Sequence, residues 1–335
     1  MSSWRWGAAA LVVALVIPAF AGGYWLYLLT LTGAYGIVAL GLNLLTGLSG
    51  QVSLGHAGFF AIGAYVSTIA QSRYGLSFPP AIAMATACGW IVGLAVGLPA
   101  VRLRGLYLAI ATMAFGTGVE RAIYHFRGLT GGPSGLAVDA PRVFGLSIDS
   151  PERLYYLALV IVVLATVFIT NLLRGRPGRM IVAMRDSELA AQSLGVNAPR
   201  LKVLTFATSA ALAAVGGAIY APAISFIGVE HFTLWLSISF VSMIVIGGLG
   251  SVAGSFLGAA FLVVLPELLR GFGGHHQIVY GLAMILVFVV WPTGLVGLLR
   301  RVIAWSAPTP AARTSQPAAA GASAPVGKHS PADPS

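Results

Sequence analysis

Two polar clusters stand out in a chain made mostly of Leu, Val, Ala, Ile and Gly. The first gathers Asn43, Gln51, Ser53 and His56 around the glycine-broken stretch 47–58. Amide, hydroxyl and imidazole groups supply donors and acceptors without a permanent charge. Two tasks suit them in an apolar surrounding: repairing the hydrogen bonds of an interrupted helix, or lining a path for a polar solute. Repair is the better reading for Asn43 and Gln51. His56 fits either, because neutral imidazole both donates and accepts. The second cluster is RDSELAAQSLGVNAPRLK, residues 185–202, which carries Arg185, Asp186, Glu188, Arg200 and Lys202.

Neither cluster sets a nucleophile beside a base, and no HExxH or comparable constellation is present. His275 and His276 come nearest to a catalytic pair, but they follow a glycine-rich turn with no acid or nucleophile beside them. The single cysteine, Cys88, cannot form an internal disulfide, and no Cys/His group has metal-ligand spacing. The chain also lacks the G-x-x-x-x-G-K-[ST] loop that cradles nucleotide phosphates. No catalytic residue, metal or cofactor is expected. A carrier coupled to an ion gradient would hold charge near span centres, and none is convincingly central.

The elements that must position these clusters follow from composition. Charged residues are 8% of the 335 and hydrophobic ones 58%, whereas a soluble domain carries about 25% charge. Apolar runs of about 20 residues recur, each long enough to cross a bilayer. The expected fold is all-α and polytopic, with about ten spans near 8–22, 24–46, 52–71, 80–100, 105–124, 153–173, 201–221, 233–249, 252–269 and 277–299. The first resembles a signal segment but reads as a retained helix. A permease domain over 1–305 would leave 306–335, rich in Ala, Pro and Ser, as a disordered cytoplasmic tail.

Net charge of +10 does not point to nucleic acid, because the basic residues lie in short loops without interleaved aromatics. They report orientation instead. With the N-terminus inside, most of the 19 Lys and Arg fall on the cytoplasmic side, including Arg174, Arg176, Arg179, Arg185, Arg200 and Lys202. Both termini and loop 174–200 are then cytoplasmic, and loop 125–152 faces out. Gly250, Gly254 and Gly258, spaced by four, read as one close-packing helix face, within the chain in preference to between subunits. GLSGQVSLG (47–55) and GLGSVAGSF (248–256) echo each other faintly, as in transporters built from repeats.

The stretch 185–202 reads as a helix of about eight residues, too short to span. Asp186 or Ser187 can cap its start, and acidic Asp186 and Glu188 suit the positive end of its dipole. Gly195 is placed to stop it, with Asn197 and Pro199 ending continuation. Such a helix can lie on the membrane surface or dock into a soluble partner. Small residues at Ala190, Ala191 and Gly195 fit docking, where bulky anchors would fit a surface helix.

Ala190-Ala191-x-x-x-Gly195 resembles the coupling loop of ABC importer permeases, although Leu189 stands where a Glu is usual and Glu188 lies one place earlier. The wider match is more specific. GLNLLTGLSGQVSLGHAGFFAIGAY (41–65), LRGLYLAIATMAFG (103–116), LTGGPSG (129–135), RDSELAAQSLGVN (185–197) and IGGLGSVAGSFLGAAF (246–261) look like LivM-type permeases of branched-chain amino acid importers. That resemblance implies a bacterial inner-membrane subunit forming half of a pore with a LivH-like partner. It implies two cytoplasmic ATPase subunits gripping Arg185, Asp186, Ser187, Glu188, Leu189, Ala190, Ala191 and Gly195. Arg179 and Arg185 would pair with acids on the ATPase, and Gly195→Trp would uncouple transport. A periplasmic binding protein would deliver leucine, isoleucine or valine. Importers of urea, short amides or other amino acids share the glycine-rich motifs and stand as the alternative.

Overall fold

The computed structural model describes residues 12–269 except 104 and 144, together with 281–282, 284–286 and 294–297. Its principal helices are α1 (Gly23–Leu42), α2 (His56–Tyr74), α3 (Phe78–Ala100), α4 (Leu106–His125) and α5 (Pro151–Arg174). They continue with α6 (Arg176–Asp186), α7 (Glu188–Ser193), α8 (Ala198–Ile224), α9 (Leu234–Gly247) and α10 (Val252–Leu268). Strand content among the described residues is slight. Leu136–Ala137 pairs antiparallel with Phe226–Ile227, and Arg142–Val143 with Leu146–Ser147. The chain is an all-α polytopic membrane protein. Among the described residues, four helices are long and apolar enough to cross a membrane: α1 with its extension to Leu48, α3, α5 and α8. Of the expected first span, residues 12–22 are described and hold one short helical stretch that runs into a tight turn at Ile17–Ala19, whereas the last span lies largely and the tail wholly outside the described residues.

α8 is the hub. In its most apolar window 83% of residues are buried, as in α1, against 28% in α3 and 17% in α5. The cause is a row of small side chains. A lipid-immersed helix gains little from burying apolar surface, so association relies on close backbone approach. Gly89 and Gly93 of α3 lie over Ala214, Ala210 and Ala207, and Gly63 of α2 rests on Ala214. Gly216 and Gly217 of α8 close on α1 at Ala34 and on α2 at Phe60. An aromatic cluster fills the space beyond this contact. Tyr35 stacks on Tyr220 at 5.7 Å between centroids, and Phe60 meets Tyr220 at 4.9 Å and Phe240 at 5.4 Å.

Two layers of loops bracket the bundle. At one end, LTGGPSG turns through left-handed glycines at Gly131, Gly132 and Gly135. Arg73 donates to the Gly128 carbonyl there, and Tyr24 of α1 donates to Glu267 of α10 at 2.5 Å. The opposite end holds residues 47–55, 174–197 and 248–251. The alternation expected from the spans puts these same three segments on one side, and the contacts among them agree.

Candidate functional site

The polar segment 174–197 folds as two short helices. Gly175 and Pro177 turn the chain from α5 into α6, which ends at Asp186. Ser187, in extended backbone, then caps α7 by accepting from the Ala190 N–H at 3.3 Å. Asp186 therefore closes the preceding helix, and only Glu188 occupies the first turn of α7. The helix has six residues, shorter than the expected eight, because a complete Schellman stop follows it. Val196 N–H donates to Ala191 O at 3.0 Å and Gly195 N–H to Gln192 O at 2.9 Å, with Gly195 at φ +84. Asn197 does not end α7. It caps α8 through the Arg200 N–H at 3.1 Å, and Pro199 lies in the first turn of α8.

Packing fixes which face of α7 is free. Ala191 is buried with Met184 and Ala198, with Val196 and Leu201 against them. Lys202 of α8 binds Glu188 at 2.7 Å, pinning the helix start. Leu189 and Leu194 are left 79% and 83% exposed, beside exposed Ala190 and Gly195. A short capped rod is thus held rigidly against the end of α8 and offers two leucines to whatever lies beyond it.

Arg185 has a use within the chain that the sequence did not announce. Its Nη1 donates to the Gly47 carbonyl at 2.6 Å, although the residue as a whole is exposed. Gly47 belongs to a π-helical turn, Asn43–Leu48, that ends α1. Such turns leave carbonyls without partners, and a cation at a helix C-terminus satisfies them favourably. Arg179 likewise donates to a carbonyl of its own loop, that of Arg174, at 3.3 Å.

Asn43, buried at 3% exposure, is the centre of a second knot. Its Nδ2 donates to Ser251 O at 2.9 Å, Ser255 Oγ at 3.0 Å and Gly248 O at 3.4 Å. Its Oδ1 accepts from the Gly250 N–H at 2.7 Å. Thus the two glycine-broken segments that echo each other in sequence are in contact. A Cβ on Gly47 would stand 2.7 Å from Gly250 N, and one on Gly294 would stand 2.6 Å from Gly248 Cα. Gly250 is not on the helix face with Gly254 and Gly258: it sits at φ +78 in the turn before α10. Gly254 and Gly258 pack against α9 at Gly247 and Met243, within the chain.

The remaining polar residues of this region are also used internally. His56 is 1% exposed, with Nδ1 2.9 Å from Ser53 Oγ and Nε2 2.7 Å from Ser209 Oγ of α8. Gln51 donates to Ser49 Oγ at 2.5 Å, and its carbonyl accepts from Thr46 Oγ1 at 2.9 Å. The entry to α2 is completed by residues that sequence reasoning passed over. Thr112 accepts from the Leu54 N–H and Ser237 from the Ala57 N–H, each at 3.0 Å. Asn43 thus does the repair expected of it, while His56, open between repair and path, is buried and ties the start of α2 through Ser53 to Ser209 inside α8. No metal-ligand cluster occurs among the described residues.

A family model described as the permease component of branched-chain amino acid transport systems matches residues 24–288. The chain belongs to that family. It is 35% identical to the LivM permease of Salmonella typhimurium, over 87% of this chain and 74% of that protein. LivH of Escherichia coli is 26% identical, over 80% of this chain and 92% of its own length. BraD of Pseudomonas aeruginosa is 27% identical, over 80% and 93%. No solved structure matches. The glycine-broken ends, the knot on Asn43 and the capped rod all fall inside the matched span.

Proposed function

We propose that this permease forms half of the translocation pore of an ATP-driven importer of branched-chain amino acids in a bacterial inner membrane. A LivH-like chain supplies the other half, and two cytoplasmic ATPase subunits drive the cycle. A periplasmic binding protein delivers leucine, isoleucine or valine. Both termini and the α6–α7 segment face the cytoplasm. The observation that carries the reading is the exposed pair Leu189 and Leu194 on a helix whose other face, ends and first turn are all locked. Leucines alone would also suit a membrane-surface helix; the small exposed Ala190 and Gly195 beside them, on a rod locked at both ends, are what favour docking. Such a rod fits a cleft in a motor that opens and closes with nucleotide. This chain itself hydrolyses nothing and needs that partner for energy.

Gly195→Trp is a poor test, since Gly195 lies in the left-handed region and any side chain strains the stop of α7. Leu189→Asp with Leu194→Asp alters only exposed groups. In the reconstituted importer the double variant should reach the membrane at wild-type levels, release the ATPase subunits on purification and lose uptake. Retention of the ATPases with normal leucine uptake would end the docking assignment.

A further inference from the structure

We infer that Arg185 is a positioning residue that passes the motion of α7 into the core of the permease through the Gly47 carbonyl, an inference that rests on the ATPase-docking reading above. The physical chain is short and continuous. Arg185 stands two residues before the cap of α7, and its guanidinium makes a charge-assisted bond of 2.6 Å to Gly47 O. Gly50, at φ +74, turns the chain beside this side chain, where a Cβ would stand in ordinary contact with Arg185 Cγ at 3.7 Å. Gly47 lies in the π-helical turn with Asn43, and Asn43 holds Gly250, Ser251 and Ser255. From the cytoplasmic rod to the α9–α10 turn there are thus two polar steps, both through residues of one irregular turn. A regular helix end would resist deformation along its ladder of bonds. A π-helical turn ending in Ser49 and left-handed Gly50 has fewer bonds to break, which is why such turns gather at functional sites. Glu188–Lys202 and the Met184–Ala191–Ala198 cluster tie α7 to its own loop and to the start of α8. The Arg185 bond joins this loop to the broken end of α1.

The test uses the whole importer in proteoliposomes with Arg185→Gln and Arg185→Lys. Arg185→Gln should keep the ATPase subunits bound and hydrolysing while leucine uptake falls at least about tenfold. Arg185→Lys, which can still donate to one carbonyl as a cation, should recover uptake to within about threefold of wild type. A second readout follows the far end of the relay. A spin label at exposed Leu249, with Cys88→Ser, should change its spectrum when a non-hydrolysable ATP analogue binds, and Arg185→Gln should abolish that change. Normal uptake by Arg185→Gln, or an unaltered response at Leu249, overturns the relay. Loss of the ATPase subunits from Arg185→Gln also overturns it, because Arg185 would then be a docking contact. Failure of the underlying reading is visible separately, as a wild-type assembly that binds no ATPase or shows no ATP-dependent uptake.

Discussion

Replacing Asn43 tests the central knot most sharply. Asn43→Ala removes three donated bonds and one accepted bond. The losses are unequal. Ser251 O still accepts from the Ser255 N–H at 3.1 Å, and Ser255 Oγ can still donate to Ser251 O at 3.3 Å. Gly248 O keeps the Ser251 N–H at 3.3 Å. The Gly250 N–H loses its acceptor and is left in a closely packed turn, at a cost of about 1–3 kcal/mol. Three further bonds at about 0.6 kcal/mol each, the mean for side chains between membrane helices, bring the expected loss to about 3–5 kcal/mol. Asn43→Asp should be worse. A carboxylate keeps the Gly250 N–H and can accept from the Ser255 hydroxyl, but it turns an oxygen toward the carbonyls of Gly248 and Ser251. Reversible SDS unfolding of the purified chain, followed by circular dichroism, measures both. A loss below about 1 kcal/mol for Asn43→Ala, or an Asn43→Asp variant as stable as wild type, would refute the claim that this amide joins the two broken segments.

Two further expectations concern packing and the imidazole. Gly93→Leu places a Cβ 2.6 Å from Ala210 Cβ and 2.9 Å from Ala207 Cα, so α3 must move off α8; a loss of about 1–3 kcal/mol or more is expected in the same unfolding assay. Gly118→Leu, with nothing within 4 Å of the new Cβ, should leave the isolated chain as stable as wild type. His56→Gln can reach Ser53 or Ser209 but not both, so stability should drop by about 1 kcal/mol while the importer's KM for substrate stays within about twofold. A tenfold rise in KM would place the imidazole on the substrate path.

The spans were legible because hydrophobic runs must match a bilayer's thickness, and that constraint is local. The expected limits 80–100, 105–124, 153–173 and 252–269 agree with α3, α4, α5 and α10 to within two residues at each end. Gly195 was readable for a similar reason, since a left-handed stop depends on one residue and its neighbours. Of the two cap candidates Asp186 and Ser187 the structure uses Ser187, and Asp186 ends the preceding helix, because two helices abut there and sequence does not say where one stops. Gly250 was misplaced because spacing by four is a helical signal only where the helix has already begun.

What the sequence determined by itself was composition-driven: an all-α membrane chain, its approximate spans, and the one polar rod that cannot cross. These depend on transfer from water and on short-range capping, both written within a few turns of chain. What the tertiary structure alone decided was where the scarce polar side chains point. Asn43 meets Gly250, His56 meets Ser209 and Arg185 meets Gly47 across separations of more than a hundred residues. An amide or imidazole in an apolar run announces only that it needs partners. Which ones it finds depends on how the glycine rows let the helices close, and that is a property of the assembled bundle.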